Sequence, residues 1–155
     1  MTPTLVKHEG MTVVGIDATT SNAAEGDPSK ARIPVLWARF YAEDVLSRLP
    51  RKKAPILPVG VYTDYESDHN GRYRILAGGA VEEGAALSED LGRAVVPAGS
   101  YLMFKGEGQM PAVVVQTWIS VWHYFAGPGS HVRAYTTDFE VYRGPEAVEI
   151  YIAVR

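Results

Sequence analysis

The feature that most constrains the fold of this chain is a short motif that occurs twice. Residues 61–66 read VYTDYE and residues 135–140 read YTTDFE, so an Asp-aromatic-Glu triplet follows β-branched and aromatic residues in both places. When one half of the chain is aligned with the other, Glu66 falls on Glu140 without a gap, which predicts that the two residues occupy equivalent positions in a duplicated fold. Such a triplet is common enough to arise by chance, so the elements around it decide between coincidence and duplication.

The first half predicts a strand, a helix and a hairpin. Residues 6–19 are rich in β-branched side chains and predict a strand. From about Ser29 the apolar residues follow helical spacing, until Pro50 and the basic run after it end the helix. The segments ILPVGVYTDYE and RYRILAGGAV predict two strands, and the SDHNG between them is typical of a hairpin turn.

The second half repeats that order. RAVVPAG and YLMFKGEG predict strands, a helix follows from Pro111 to about Phe125, and HVRAYTTDFEVY and AVEIYIAVR predict the closing strands. We therefore predict an α+β fold built from duplicated βαββ units, with pseudo-repeats at about 6–81 and 92–155 in a single domain 1–155. The units form an antiparallel sheet with two helices packed on it and a groove between the halves.

The composition excludes several classes of function. The 155 residues are 46% hydrophobic, as expected for one globular domain, and the net charge of −3 without a basic stripe argues against direct binding of nucleic acid. The absence of cysteine excludes thiolate metal sites and disulfides and fits a cytoplasmic location. We expect neither a signal peptide nor a membrane span, because the longest apolar stretch has 15 residues and contains polar ones.

Glu140 is the acidic residue that the strand pattern singles out. Alternate side chains of a strand face opposite sides, so Glu140 shares a face with Asp138 and Tyr142. In the last strand an apolar face is formed by Val148, Ile150, Ile152 and Val154. We expect one face of the sheet to be core and the other to carry carboxylates and tyrosines. That second face is either solvated or a site where aromatic rings and a carboxylate attract an organic cation.

The tryptophans allow two interpretations as well. Trp118 and Trp122 are four residues apart and lie on one face of the second helix, and Trp37 lies on the first helix. Residues of this kind are more often core than part of a ligand cage. A cleft between repeated units is nevertheless a common place for a ligand site.

The sequence gives little support for a metal site or a catalytic nucleophile. Asp64, Glu66, Asp68 and His69 lie together in DYESDH, but the stretch lacks the length of a calcium-binding loop, so we predict an exposed, metal-free hairpin tip. His123 and His131 have no zinc-binding motif around them, and neither a nucleophile elbow nor a phosphate-binding loop is present. We predict no metal, no cofactor and no catalytic residue.

Several segments together resemble one known superfamily. LPVGVYTDYESDHNGRYRILAGGAV, VPAGSYLMFKGEG, Trp118 in the predicted helix, YTTDFEVY and the closing EIYIAVR resemble the GyrI-like small-molecule-binding superfamily. It includes the effector-binding domains of AraC- and MerR-type transcription activators and stand-alone proteins encoded by integron cassettes. The resemblance covers nearly the whole chain from Val6. Each motif is short, and their order and spacing carry the likeness.

The resemblance implies a ligand site. The superfamily has the duplicated βαββ fold and binds lipophilic, often cationic, compounds in a groove between the halves. Its acidic residue matches Glu140 in the segment Phe139-Glu140-Val141-Tyr142, and its aromatic positions match Trp37, Tyr65, Trp118 and Tyr151. The candidate ligand-binding residues are therefore Glu140, Trp118, Tyr65, Trp37, Tyr142 and Tyr151.

Other functions within the superfamily remain open. The chain has no room for a helix-turn-helix domain, so we expect a stand-alone binder or the partner of a separate transcription regulator. Some relatives hydrolyse strained three-membered rings of alkylating toxins, and a pocket Glu serves such a reaction as general base. Haem binding, as in the related SOUL proteins, is not supported, because none of the four histidines is convincingly placed to bind the haem iron. Modulation of gyrase cannot be tested from the sequence. Binder and hydrolase use the same residues.

Overall fold

An eight-stranded sheet dominates the structure, a computed structural model that describes residues 2–129 and 131–155. Its strands are β1 Thr4–His8, β2 Met11–Ser21, β3 Val59–Thr63, β4 Arg72–Val81, β5 Gly92–Val96, β6 Gly99–Glu107, β7 Asp138–Gly144 and β8 Ala147–Ala153. The helices are α1 Asn22–Glu25, α2 Ile33–Ala42, α3 Val45–Arg48 and α4 Ala112–Ala126. All strand pairs are antiparallel, which confirms the predicted α+β class.

The strand order is symmetric with respect to the two halves of the chain. In the order β1-β6-β8-β7-β3-β4-β2-β5, β7 and β3 lie side by side at the centre, flanked by their hairpin partners β8 and β4 and then by the long strands β6 and β2. The edge strands are exchanged: β1 pairs with β6 of the second half, and β5 pairs with β2 of the first. Each half thus contributes one strand more than a βαββ unit, and the order favours the duplication.

The strand predicted at 6–19 is divided by a turn. Gly10 has a φ of 88°, and a Cβ atom there would lie 2.9 Å from the carbonyl oxygen of Val96. Only glycine fits this conformation and this close approach without strain. The turn sends β1 to one edge of the sheet and β2 to the other side, so the prediction of one continuous strand was wrong.

The first predicted helix is also interrupted. Asp44 has a φ of 50°, which ends α2, and the chain starts again as α3 at Val45. The apolar positions of the helical pattern are still buried, namely Leu36, Phe40, Val45 and Leu49. Helix α4 follows Pro111 as predicted. None of the helices in residues 2–129 and 131–155 is long and apolar enough to cross a membrane.

The two copies of the Asp-aromatic-Glu motif lie in different structures. Strand β3 ends at Thr63, and Asp64 adopts a φ of 53°, so Glu66 lies in the exposed hairpin tip beside Arg72. In the second copy, Asp138 and Glu140 both lie within β7. The left-handed residue after β3 ends the similarity, and the prediction that Glu66 and Glu140 occupy equivalent positions was wrong.

Both faces of the sheet are buried. The helices cover the face that carries Tyr62, Ile75, Phe104 and Ile150. On the other face a second core is formed by residues of β2 to β8, around Val61, Leu76 and Phe139, without a helix. Glu140 lies directly opposite Ile150 in the β7–β8 pairing and is 1% exposed. Glu140 therefore belongs to the apolar helix-covered face, and of the two alternatives for the face with carboxylates and tyrosines the solvated one does not apply to Glu140.

Candidate ligand-binding site

The helix-covered face contains a cavity with a volume of about 840 Å³. One wall is formed by α1 and the first turn of α2, the opposite wall by α4, and the floor by side chains of β3 and β4. The aromatic lining residues are Tyr62, Tyr65, Tyr73, Trp118, Trp122, Phe125 and Tyr135, and the ionisable ones include Glu25, His69 and Arg133. This size and lining are typical of a site for a drug-sized organic molecule.

Glu140 lies directly behind two residues of the cavity wall. Its Oε2 accepts a hydrogen bond of 3.0 Å from Nε1 of Trp118, and its Oε1 accepts bonds of 3.3 Å from the Tyr62 hydroxyl and 2.8 Å from the Tyr142 hydroxyl. All three donors are neutral. Within residues 2–129 and 131–155 Glu140 forms no ion pair.

The neutral surroundings of Glu140 affect its protonation. Burial raises the pKa of the Glu140 carboxyl, and the hydrogen bonds from Trp118, Tyr142 and Tyr62 oppose that rise. Burial and the neighbouring carboxylate also raise the pKa values of Tyr62 and Tyr142, so both phenols remain protonated donors. The site thus holds a carboxylate that is satisfied in hydrogen bonds and lacks a counter-charge.

Gly60 makes room for this carboxylate. It lies opposite Glu140 in the β3–β7 pairing. A Cβ atom at Gly60 would lie 2.8 Å from Oε1 of Glu140 and 3.2 Å from Cζ2 of Trp37. The missing side chain lets Glu140 and Trp37 approach the same point on the sheet.

Asp138, two residues before Glu140 on the same face of β7, is paired quite differently. Its Oδ1 accepts a hydrogen bond of 2.9 Å from the Ala153 backbone. Its Oδ2 accepts a bond of 2.8 Å from Nη2 of Arg133 and another from the Tyr65 hydroxyl. Asp138 and Arg133 form a buried ion pair, with 0% and 8% of their side chains exposed. One of the two buried carboxylates therefore has its cation within the protein, and the other does not.

Glu25 fixes the wall formed by α1 and α2. Its carboxylate accepts hydrogen bonds from the backbone N–H groups of Arg32 and Ile33, at 2.8 and 3.1 Å, and from the Thr20 hydroxyl at 2.6 Å. These bonds satisfy donors at the start of α2, which has no side-chain cap of its own. Glu25 also adds negative potential to the cavity lining.

The structure brings together most of the residues predicted for the site. Trp118 and Tyr65 line the cavity, and Glu140 lies behind Trp118. Tyr142 bonds to Glu140 from the side of α2, where the ring of Trp37 contacts it at a centroid distance of 5.1 Å. Nε1 of Trp37 is buried without a hydrogen-bond partner in the described chain.

Tyr151 does not join this group. It stacks on Phe139 with a centroid distance of 4.5 Å, on the face of the sheet opposite to Glu140. The β7–β8 pairing explains this position, because Tyr151 lies opposite Phe139 and Ile150 opposite Glu140. We therefore leave Tyr151 out of the site.

Sequence reasoning missed Tyr62, Tyr73 and Arg133. Tyr62 lies two residues from Gly60 along β3 and on the same face, but its contact with Glu140 depends on the β3–β7 pairing. Arg133 lies in a segment predicted as strand, whereas the structure has only an isolated bridge there before β7. No local sequence motif indicates that Tyr62 or Arg133 belongs to the site.

The hairpin tip, which we predicted to be metal-free, contributes His69 to the lining of the cavity. Glu66, Ser67, His69 and Asn70 are exposed. Among the residues that the structure describes, no group of three His, Asp or Glu side chains is arranged to hold a metal ion.

The fold and this cavity define a class of proteins that bind small effectors on a duplicated α+β sheet. The chain belongs to the family of integron-associated effector binding proteins, which matches residues 4–154. It is similar to the integron cassette protein VCH_CASS2 from the mobile metagenome of Vibrio cholerae, with 39% identity, coverage of 99% of this chain and 96% of that chain, and a TM-score of 0.82. The expected family resemblance is confirmed.

Two further relatives extend the comparison. YobU of Bacillus subtilis (strain 168), described as a candidate transcriptional regulator, is 29% identical over 148 residues, which are 91% of this chain and 90% of that protein. The structure of SAV2435 bound to tetraphenylphosphonium is 22% identical, covers 100% of this chain and 94% of that chain, and has a TM-score of 0.77. At this identity the likeness to SAV2435 shows the fold alone.

Proposed function

We propose that this protein binds lipophilic organic cations in the 840 Å³ cavity and that Glu140 is the counter-charge. The observation that carries the proposal is the unpaired charge of Glu140, a buried carboxylate whose three donors are all neutral. Isolating a charge from water is costly unless an opposite charge compensates it. A cation in the cavity supplies that compensation.

The aromatic walls suit the same ligand. Trp118 and Trp122 form adjacent parts of the α4 wall, with a centroid distance of 6.3 Å, and Tyr62 and Tyr73 lie on the floor. The face of an aromatic ring attracts a cation through its quadrupole. Because the indole N–H of Trp118 donates to Glu140, the negative charge polarises the ring towards the cavity and strengthens that attraction.

The geometry favours binding over hydrolysis by a general base. Trp118 and Tyr62 separate Glu140 from the cavity, and both carboxylate oxygens already accept hydrogen bonds from them or from Tyr142. A general base must reach the water or the group that it deprotonates. Mass analysis of each ligand after incubation with the protein would detect turnover and thereby favour the hydrolase function.

A pair of ions with the same shape and opposite charge tests the proposal. Tetraphenylphosphonium and tetraphenylborate are closely matched in size, so calorimetric titration of both separates charge from shape. Two unit charges about 6–12 Å apart attract by about 1.4–2.8 kcal/mol at an effective dielectric constant of about 20, which corresponds to about ten- to a hundredfold in affinity. We expect tetraphenylphosphonium to bind tighter by at least that factor. Equal binding, or a preference for the borate, would refute the proposal.

We also propose that ligand binding to this protein is sensed by a transcription regulator. The relative YobU is described as a candidate regulator, and α1 and the first turn of α2 line the cavity, where a ligand would contact them. A separate regulator that recognises this wall would sense the bound state.

A further inference from the structure

Arg133 stands at the end of the cavity next to Tyr65 and Tyr135. Its guanidinium carbon lies 4.5 Å from the centre of the Tyr135 ring and 5.8 Å from that of Tyr65. The side chain is 8% exposed. Its position before β7 is fixed by the isolated bridge to Val154.

Most of the donors of this guanidinium are unused. Both of its hydrogen bonds in the described chain start from Nη2, at 2.8 Å to Asp138 and 3.4 Å to the Tyr65 hydroxyl. A guanidinium has five N–H groups, so those of Nε and Nη1 lack a protein acceptor among residues 2–129 and 131–155. Nε is fully buried without a partner. A ligand in the cavity cannot reach Nε, but Nη1 keeps accessible surface and Arg133 lines the cavity, so an acceptor for the N–H groups of Nη1 can arrive with a ligand.

The charge at this end of the cavity is already balanced. The carboxylate of Asp138 neutralises Arg133 at 2.8 Å, so an anionic group would enter without a free cation to meet it. A neutral oxygen needs only a donor. The chemistry at Arg133 therefore fits a carbonyl oxygen of an ester, amide or ketone better than a carboxylate or phosphate.

We propose that Arg133 forms a second subsite that accepts a neutral carbonyl oxygen, so that the preferred ligands are lipophilic cations that carry such a group. This inference rests on the proposed function, because Glu140 holds the cationic part. Asp138 and Glu140 are two residues apart on β7, about 7 Å along the strand.

A series of three dyes with one cationic ring system tests the subsite. Tetramethylrosamine has a plain phenyl group, tetramethylrhodamine methyl ester adds a neutral carbonyl, and tetramethylrhodamine carries a carboxylate. One additional hydrogen bond to a charged donor gives about tenfold in affinity, so we expect the ester to bind that much tighter than the rosamine. We expect the carboxylate dye to bind no tighter than the ester. Fluorescence anisotropy measures all three dissociation constants.

The matched control removes the subsite without creating a charge. In the double variant Arg133→Met, Asp138→Asn, the amide oxygen still accepts from Ala153, the amide nitrogen donates to Tyr65, and no ion is left unpaired. We expect the ester-to-rosamine ratio to fall to about one, with little change for the rosamine. If the double variant does not fold, Arg133→Lys, which keeps the ion pair and has no nitrogen at the position of Nη1, is judged by the same ratio.

The outcomes separate the two proposals. Equal affinity of wild type for ester and rosamine, a ratio retained in the variants, or tightest binding of the carboxylate dye would overturn the subsite. If all three dyes bind equally and Glu140→Gln weakens all of them, the subsite alone fails. If none of the dyes binds, or if Glu140→Gln leaves every affinity unchanged, the proposed function fails and the subsite with it.

Discussion

At the scale of single residues, Asp138 and Glu140 show how environment assigns different roles to two buried carboxylates. Both lie on the same face of β7, and both are at most 1% exposed. Asp138 pairs with Arg133, whereas Glu140 accepts bonds from neutral donors only. The first arrangement fixes structure. The second arrangement leaves the charge of Glu140 without a counter-charge at the wall of the cavity.

Glu140→Gln should make the free protein more stable at pH 7. The amide oxygen can accept from Trp118, and the amide nitrogen can donate to the hydroxyls of Tyr62 and Tyr142, so the shape is kept and the two hydrogen bonds with the hydroxyls reverse their direction. Because the folded-state pKa of Glu140 is raised, the folded protein binds more protons than the unfolded chain between the ordinary carboxyl pKa and the raised value. Wild-type stability therefore falls as pH rises through that window.

Denaturant unfolding of both proteins at a series of pH values measures this difference. The stability gain of Glu140→Gln should be absent below the ordinary carboxyl pKa, grow through the window and stay constant above the raised pKa. At pH 7 the matched variant Asp138→Asn should instead lose about 3–5 kcal/mol of stability, because it leaves Arg133 buried without its partner. Destabilisation of similar size in both variants would contradict the assigned roles.

At the scale of elements, the pairing of β3 with β7 creates the site. Gly60 leaves the space into which Glu140 and Trp37 project, although a glycine within a strand is unfavourable by itself. The pairing of β7 with β8 then decides which residues join them. A bulge between Tyr142 and Gly144 shifts the register of that hairpin.

Gly60→Ala should test the role of this pairing. Its methyl group would lie within 2.8 Å of Oε1 of Glu140, so we expect a loss of about 1–3 kcal/mol in unfolding free energy and weaker binding of tetraphenylphosphonium. Gly99→Ala is the control, since a Cβ atom there has no neighbour within 4 Å. It should change stability by about 0.5 kcal/mol or less. Equal effects of the two substitutions would show that the space at Gly60 is unimportant.

At the scale of the whole molecule, the pattern of the sequence predicted the class of fold and most of the order of its elements. Alternation and helical spacing located β3, β4 and α4, since each depends on local periodicity. The positive φ angles at Gly10, Asp44 and Asp64 were missed, because a single glycine or aspartate within a periodic segment adopts such a conformation without a dependable local pattern.

The site could be predicted only in part, for reasons of the same kind. Glu140 and Trp118 could be predicted for the site because both match positions of the family pattern. Tyr151 was assigned to their face, but a shift of one residue in strand register moves a side chain to the opposite face, and the bulge that sets this register cannot be read from the sequence. The partnership of Arg133 with Asp138 and Tyr65 depends on a segment without regular structure.

The most direct test of the central claim is the charge preference of Glu140→Gln. Tetraphenylphosphonium and tetraphenylborate are titrated calorimetrically into wild type and variant at pH 7 and at one ionic strength. If Glu140 is the counter-charge, the variant loses about ten- to a hundredfold in affinity for the cation and binds the anion more tightly than wild type does, because the removed charge attracts the one ion and repels the other. An unchanged affinity for the cation, or an equal loss for both ions, would contradict the account.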